Sequence, residues 1–148
     1  MTQTFTPTRP VPTLPGVSLL GLDATSLLEL GDAVQGGLST SALEGFAGHL
    51  KLPVSDVLEL VDLSPSSYFS YKRRGKAFGA ETGARLYHLA RVTEAAERYF
   101  ESVTQAHAWL IEPRTTFGGR SPLQFALLPG GAEYVITVLG RLEHGVYT

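Results

Sequence analysis

The sequence predicts an all-α protein in which a helix-turn-helix lobe packs on a second helical lobe, with short strands at most. Apolar residues recur at three- and four-residue steps, and no segment sustains the alternation of a half-buried strand. Ser64-Pro65 and Ser121-Pro122 each mark a helix start, because serine caps a first turn and proline lacks the N–H that would be unpaired there. With 148 residues and 43% hydrophobic content, the chain can bury one core or two small cores sharing an interface.

The first part of the chain is rich in proline and threonine. Residues 1–16 offer little that a core could bury, so we expect an extended or disordered tail outside the fold. From Asp23 a helical apolar pattern runs to Gly36-Gly37, a normal C-terminal signal. We interpret its apolar residues as core positions: Leu27, Leu28, Leu30, Ala33 and Val34.

Three short helices follow. Ser41, with Glu44 three residues later, predicts a capping box at the start of the second helix, which carries an apolar stripe. That stripe consists of Leu43, Phe46, Ala47 and Leu50. A third helix over Pro53–Val61 is joined by a tight turn to a fourth over 64–76, which is the arrangement of a helix-turn-helix.

A long amphipathic helix is predicted from Gly79 to about Phe100, long enough to serve as the backbone of the fold. Next comes a short helix over Gln105–Leu110 that carries the only tryptophan, Trp109, which we interpret as a core residue. The last two helices are predicted over 121–127 and 132–144, on either side of Pro129-Gly130-Gly131.

The middle third of the chain is basic. Residues 1–63 hold 2 cations and 7 anions, residues 64–98 hold 7 and 3, and residues 99–148 hold 3 and 4. A basic helix of this kind suits phosphate oxygens, through contacts that salt should weaken quickly. We therefore predict a nucleic-acid surface on the fourth helix.

The predicted phosphate contacts are Lys72, Arg73, Arg74 and Lys76, and the candidates for base edges are Ser66, Ser67, Ser70 and Tyr71. The alternative is a degenerate helix-turn-helix kept as a scaffold. In that case Tyr68 and Phe69 are core or dimer contacts and the cations are merely solvated.

Other chemistries are not predicted. The chain has no cysteine, and its histidines are His49, His88, His107 and His144. Because these histidines lack the spacing of metal ligands, we expect no metal and no cofactor. Acidic pairs such as Glu94 with Glu97 have no accompanying nucleophile or base, so we do not expect an enzyme. Without an apolar run of about 18 to 20 residues or a signal sequence, a cytoplasmic protein with no membrane partner is expected.

Two C-terminal features suggest a partner. Arg120 follows two glycines, where it can meet a carboxylate or phosphate across an interface. The chain end offers a flexible glycine, apolar and aromatic side chains and a carboxylate, which together can enter a pocket; its residues are Glu143, His144, Gly145, Val146, Tyr147 and Thr148. A frayed terminus is the alternative.

A fixed order of motifs runs through the second half: Trp109-Leu110, then Gly119-Arg120-Ser121-Pro122-Leu123, Gly131, and Gly145-Val146-Tyr147. This order resembles the Xre/MbcA/ParS-like antitoxin family, and Leu63-Ser64 and Arg85-Leu86 fit its helix-turn-helix and central helix, so that residues 40–147 are covered. The chain departs from the family at Ser67, where threonine is common, and at Ala84, where an acidic residue is expected.

The resemblance implies the antitoxin half of a bacterial two-gene module whose partner is a RES-domain toxin, an enzyme that consumes NAD. It implies a toxin-binding domain at 101–148 that covers the toxin's cofactor pocket. A helical domain at 17–100 would bind the module's own promoter, and antitoxin homodimers would bridge two toxins. The alternative is a helix-turn-helix transcriptional regulator whose C-terminal lobe only dimerises or senses a ligand.

Overall fold

The structure, a computed structural model, describes residues 16–22 and 26–143, the last of them by its backbone only. Every regular element in these ranges is helical, which confirms the predicted all-α class. The helices are α1 (Leu27–Gln35), α2 (Thr40–Leu50), α3 (Val54–Leu60), α4 (Pro65–Arg74), α5 (Ala80–Phe100), α6 (Val103–Ile111), α7 (Pro122–Ala126) and α8 (Gly131–Glu143), with 3-10 turns at Ser18–Leu20 and Thr115–Phe117.

Serine side chains start α4 and α7 as the sequence predicts. Ser64 and Ser121 accept hydrogen bonds from the backbone N–H groups of Ser67 and Gln124, respectively, each at a distance of 3.1 Å. A proline follows each serine. Helices α3 to α8 begin and end within two residues of their predicted bounds. Capping signals therefore located α4 and α7, and apolar periodicity located the other helices of this group.

The predicted capping box of α2 is wrong. The helix begins ahead of Ser41, because Ser39 accepts the hydrogen bond from the N–H of Ala42 at 3.1 Å. Glu44 turns instead towards α4, where its carboxylate accepts a hydrogen bond from the hydroxyl of Tyr68. The glutamate that suggested a cap is a tertiary contact.

Helix α5 is central, as predicted, and packs against α1, α6, α7 and α8. Its Leu86, Leu89 and Ala96 side chains are completely buried. The same apolar cluster reaches from Leu43 in α2 to Leu139 in α8. The two lobes therefore share one core.

An aromatic cluster closes the C-terminal end of this core. The ring centroid of Trp109 lies 5.9 Å from that of Phe100 and 5.9 Å from that of Phe117. The rings of Phe125 and Tyr134 lie 5.2 and 6.0 Å from the ring of Phe117. Because Trp109 is only 8% exposed, its interpretation as a core residue is confirmed.

Helix α1 buries fewer apolar side chains than its pattern predicts. Leu30 is buried against Val17, but Leu27 and Leu28 are 74% and 76% exposed. The core interpretation is wrong for these two leucines, because no described part of the chain covers their side chains.

The tail predicted at 1–16 lies outside the described residues except for Gly16, which is buried against α5. A Cβ added to Gly16 would lie 2.9 Å from the backbone nitrogen of Arg91. In the described ranges, no single helix is both long and apolar enough to cross a membrane; Thr115–Ala126 and Gly131–Leu142 meet that criterion only as a pair, bent by 117°.

Candidate functional site

Helices α3 and α4 form a helix-turn-helix, and α2 packs against both of them. Val57 and Val61 are fully buried beside the turn. Tyr68 is also buried, and its hydroxyl donates to the carboxylate of Glu44 in α2. These contacts fix the inner face of α4, so Tyr68 is a core residue, as the scaffold alternative expects.

The outer face of α4 carries Ser66, Phe69, Ser70 and Arg73, which we call the outer-face stripe. Steps of three and four residues place these side chains on one side of the helix. Phe69 is 57% exposed and so does not belong to the core of this chain. The stripe combines hydroxyls, an apolar ring and a cation, a mixture that suits groove edges of nucleic acid.

Three of the predicted base-contacting residues, Ser66, Ser67 and Tyr71, make contacts within the protein. Tyr71 is half-buried, and its ring centroid lies 5.4 Å from that of Phe78. The hydroxyl of Ser67 accepts a hydrogen bond from that of the capping Ser64 at 2.9 Å. The hydroxyl of Ser66, which belongs to the outer-face stripe, lies 3.2 Å from that of Ser64 as well.

The four predicted phosphate-binding cations are exposed, but they are not equivalent. The ammonium nitrogen of Lys72 lies 2.9 Å from Oε1 of Glu44, and this glutamate raises the pKa of Lys72. Arg73, Arg74 and Lys76 have no ion-pair partner among the described residues. Lys72 must therefore break or share its ion pair with Glu44 to bind a phosphate, whereas the other three cations are available.

Arg120 lies in a compact turn between α6 and α7. Its carbonyl accepts the N–H of Arg114 at 3.1 Å, and its own N–H donates to the carbonyl of Phe117 at 3.2 Å. The glycines before it have φ angles of 65° and 82°, a left-handed backbone that favours glycine. The guanidinium is exposed and has no ion-pair partner in the described part of the chain, so the backbone is fixed and the side chain is available.

The C-terminal lobe also exposes large apolar side chains. Val103 and Ile111 of α6 are 49% and 50% exposed, and Leu128 and Tyr134 are 37% and 40% exposed. The predicted partner contacts at His144, Gly145, Val146, Tyr147 and Thr148 lie outside the described residues, and Glu143 is described only as the last helical residue of α8.

A groove of about 520 Å³ separates α3 from α6 and α7. Asp56 and Glu59 line it on one side, together with Leu60, and Ile111 and Leu127 line the other. The groove is therefore of mixed polarity, with an acidic edge.

A cluster that sequence spacing did not indicate lies between three helices. Nε2 of His107 in α6 lies 2.8 Å from Oε1 of Glu97 in α5, and Nε2 of His49 in α2 contacts the same oxygen. The three residues lie in three different helices, so only the packing of α2 and α6 on α5 brings them together.

Comparisons with known proteins match the two halves of the chain to two family models. A family model described as the antitoxin Xre-like helix-turn-helix domain matches residues 29–91. A second, described as the antitoxin Xre/MbcA/ParS C-terminal toxin-binding domain, matches residues 95–145. A protein named antitoxin Xre from Yersinia enterocolitica is 27% identical over 130 residues, which cover 87% of this chain and 88% of the relative. Another antitoxin Xre, from Photorhabdus laumondii, is 26% identical over 144 residues, with 96% and 97% covered.

Proposed function

Because this chain belongs to the Xre/MbcA/ParS-like antitoxin family, we propose that it neutralises a RES-domain toxin that consumes NAD and represses the promoter of its own module. The observation that carries the proposal is the presence of a helix-turn-helix and a toxin-binding domain on one shared core. The RES class of the toxin rests on the family resemblance.

Toxin binding is assigned to the C-terminal lobe. Its exposed apolar side chains offer contact area, and the available guanidinium of Arg120 fits a carboxylate or phosphate on the toxin side. Residues 143–148, which start at the last residue of α8, are proposed to enter the toxin's cofactor pocket, where they would exclude NAD.

Promoter binding is assigned to α4. The outer-face stripe supplies hydroxyls and Phe69 for base edges, since an apolar ring suits the methyl group of thymine. Arg73, Arg74 and Lys76 supply phosphate contacts. A homodimer within a larger toxin–antitoxin complex would present two copies of α4 to a pair of half-sites.

Copurification with the product of the neighbouring gene tests the first activity. We expect a stable complex in which the NAD-degrading activity of that product is lost. A variant lacking residues 146–148 should release activity while still binding the toxin. If the truncated protein inhibits as well as the full chain, the blocking contact lies elsewhere in the lobe, and if no partner copurifies, toxin neutralisation fails.

Two single substitutions separate the two activities. Arg120→Ala should weaken toxin inhibition and leave promoter binding unchanged, while Arg73→Ala should do the reverse. Each removes one exposed guanidinium without an ion-pair partner in the described ranges, so each is a matched control for the other. Arg73→Ala should also flatten the salt dependence of log K by about 0.9, the loss of one phosphate contact. Equal effects of both variants on both assays would contradict the assignment.

The groove between α3 and α7 favours a second candidate function, a transcriptional regulator that senses a ligand. Its volume of about 520 Å³ lies in the range of small-molecule sites. Under this hypothesis a small molecule changes promoter binding and no toxin copurifies. Inhibition of a partner enzyme by the purified chain would exclude it as the main role.

A further inference from the structure

We propose that His49, Glu97 and His107 form a zinc-binding site that joins the helix-turn-helix lobe to the toxin-binding lobe. His49 lies in α2, Glu97 in α5 and His107 in α6, so one metal ion would tie three helices together. The site uses no residue assigned to DNA or toxin contact and does not depend on the proposed function.

The geometry of the three side chains suits one shared ion. One ligand atom of each lies within 4.8 Å of the other two. Ligand atoms around tetrahedral zinc, at about 2.0 to 2.1 Å from the metal, lie no more than about 4 Å apart, so small side-chain adjustments suffice. The two imidazole rings are 5.2 Å apart and inclined by 69°, with both Nε2 atoms directed to the same carboxylate oxygen.

The surroundings combine limited solvent access with one open side. The side chains of His107 and Glu97 are 11% and 17% exposed, whereas that of His49 is 32% exposed. The buried pair fixes the positions of two ligands, and the opening beside His49 leaves access for the ion and for a water molecule as fourth ligand.

Two helix ends add a favourable potential. His49 lies in the last turn of α2, and Glu97 precedes the C-terminal residue of α5, Phe100, by less than one turn. The unpaired carbonyl groups at helix C-termini carry partial negative charge, which favours a cation. The carboxylate of Glu97 adds a full charge, so the site is arranged for a positive ion.

The donor set selects the kind of cation. Two imidazole nitrogens and one carboxylate oxygen bind zinc and other borderline transition ions, whereas calcium and magnesium require oxygen ligands. Because α2 lies in the segment matched as a helix-turn-helix and α6 in the toxin-binding match, zinc at this point would hold the two lobes in one arrangement.

Calorimetric titration of the metal-stripped full chain with zinc chloride tests the proposal. We expect about one zinc per chain and a rise in the thermal midpoint of unfolding, because a ligand that binds only the folded state stabilises it. The double variant His49→Gln/His107→Gln should lose at least the 10- to 100-fold in affinity typical of removing a supporting residue of a metal site. His88→Gln is the matched control, because it makes the same substitution at a histidine of α5 outside the proposed site. This variant should bind zinc like the wild type.

A second measurement on the unmodified chain protects the test against misfolded variants. In nitrogen-15 NMR spectra, zinc should shift the Nε2 resonances of His49 and His107 and leave those of His88 in place. Unchanged affinity in the folded double variant, no zinc binding by the wild type at micromolar concentrations, or shifts confined to His88 or His144 would each overturn the site.

Discussion

Removing the charge of Glu44 should strengthen the promoter binding that we propose for α4. The glutamate holds the ammonium of Lys72 at 2.9 Å and accepts the hydroxyl of Tyr68. These two hydrogen bonds, that of Tyr68 first, keep the pKa of Glu44 below its ordinary value, so the carboxylate is fully charged near neutral pH. A DNA phosphate must compete with it for Lys72. Glu44→Gln removes this competitor and keeps an acceptor for Tyr68.

The expected gain is modest because the pair is partly solvated. The side chain of Lys72 is 53% exposed and that of Glu44 is 34% exposed. Ion pairs of such exposure change an equilibrium by about two- to fivefold, so the dissociation constant for each DNA-binding subunit should fall by about this factor. The salt dependence should also steepen, by about 0.9 in the slope of log K against log salt, because one more phosphate is neutralised.

Fluorescence anisotropy with a labelled fragment from upstream of the gene, repeated at several salt concentrations, measures both quantities. Glu101→Gln is the control, since it removes one exposed charge at the end of α5, away from α4. In a Lys72→Ala background the gain from Glu44→Gln should disappear, because the two residues act as a pair. A gain that persists in that background, or equal tightening by the control, would refute the competition between Glu44 and phosphate.

Three further predictions concern stability and are measured by urea unfolding. Gly131→Ala should lower the free energy of unfolding by about 1 to 3 kcal/mol, since the added Cβ would lie 1.8 Å from the carbonyl oxygen of Phe125. Gly140→Ala, whose Cβ would have nothing within 4 Å, should raise it by up to about 1 kcal/mol. A similar loss of stability in both variants would contradict the steric explanation. Trp109→Ala should cost about 3 to 5 kcal/mol, and a loss below 1 kcal/mol would show that the aromatic cluster does not support the lobe. Burial lowers the pKa of His88 from its ordinary 6.5, so the unfolded chain binds a proton here more tightly than the folded chain. The resulting contribution to stability is complete above pH 6.5 and is lost as the pH falls from there through the lowered pKa. His88→Gln should reduce this loss of stability in acid, and an unchanged profile of unfolding free energy against pH would exclude a role of His88.

The sequence predicts those features of the fold that depend on residues close together along the chain, such as helix starts. The starts at Ser64 and Ser121 were located because a cap and its N–H lie three residues apart. The capping box predicted at Ser41 is wrong, because Ser39, two residues earlier, caps the helix and nothing in the local pattern of Ser41 and Glu44 excludes that start. Periodicity identified α1 but not which of its apolar residues would be covered, so Leu28 was assigned to the core and is exposed.

The same limit applies to the candidate sites. The hydroxyls and cations of α4 were predicted because they are consecutive in the sequence. The pairing of Lys72 with Glu44, and the convergence of His49 and His107 on Glu97, join different helices and leave no local signal. Only tertiary packing separates a cation that is available to phosphate from one that is already paired.

Helix α5 limits how the two lobes can influence each other. It crosses without interruption from the helix-turn-helix match, which ends at 91, to the toxin-binding match, which begins at 95. Leu89 and Ala96, on either side of this boundary, are both fully buried in the shared core, so moving one lobe against the other would bend α5 and expose apolar surface. Toxin binding should therefore affect promoter affinity by bringing several copies of α4 together. We expect the toxin to tighten binding to a fragment with two half-sites and to leave binding to a single half-site unchanged; an equal effect on both fragments would instead require a conformational change within the chain.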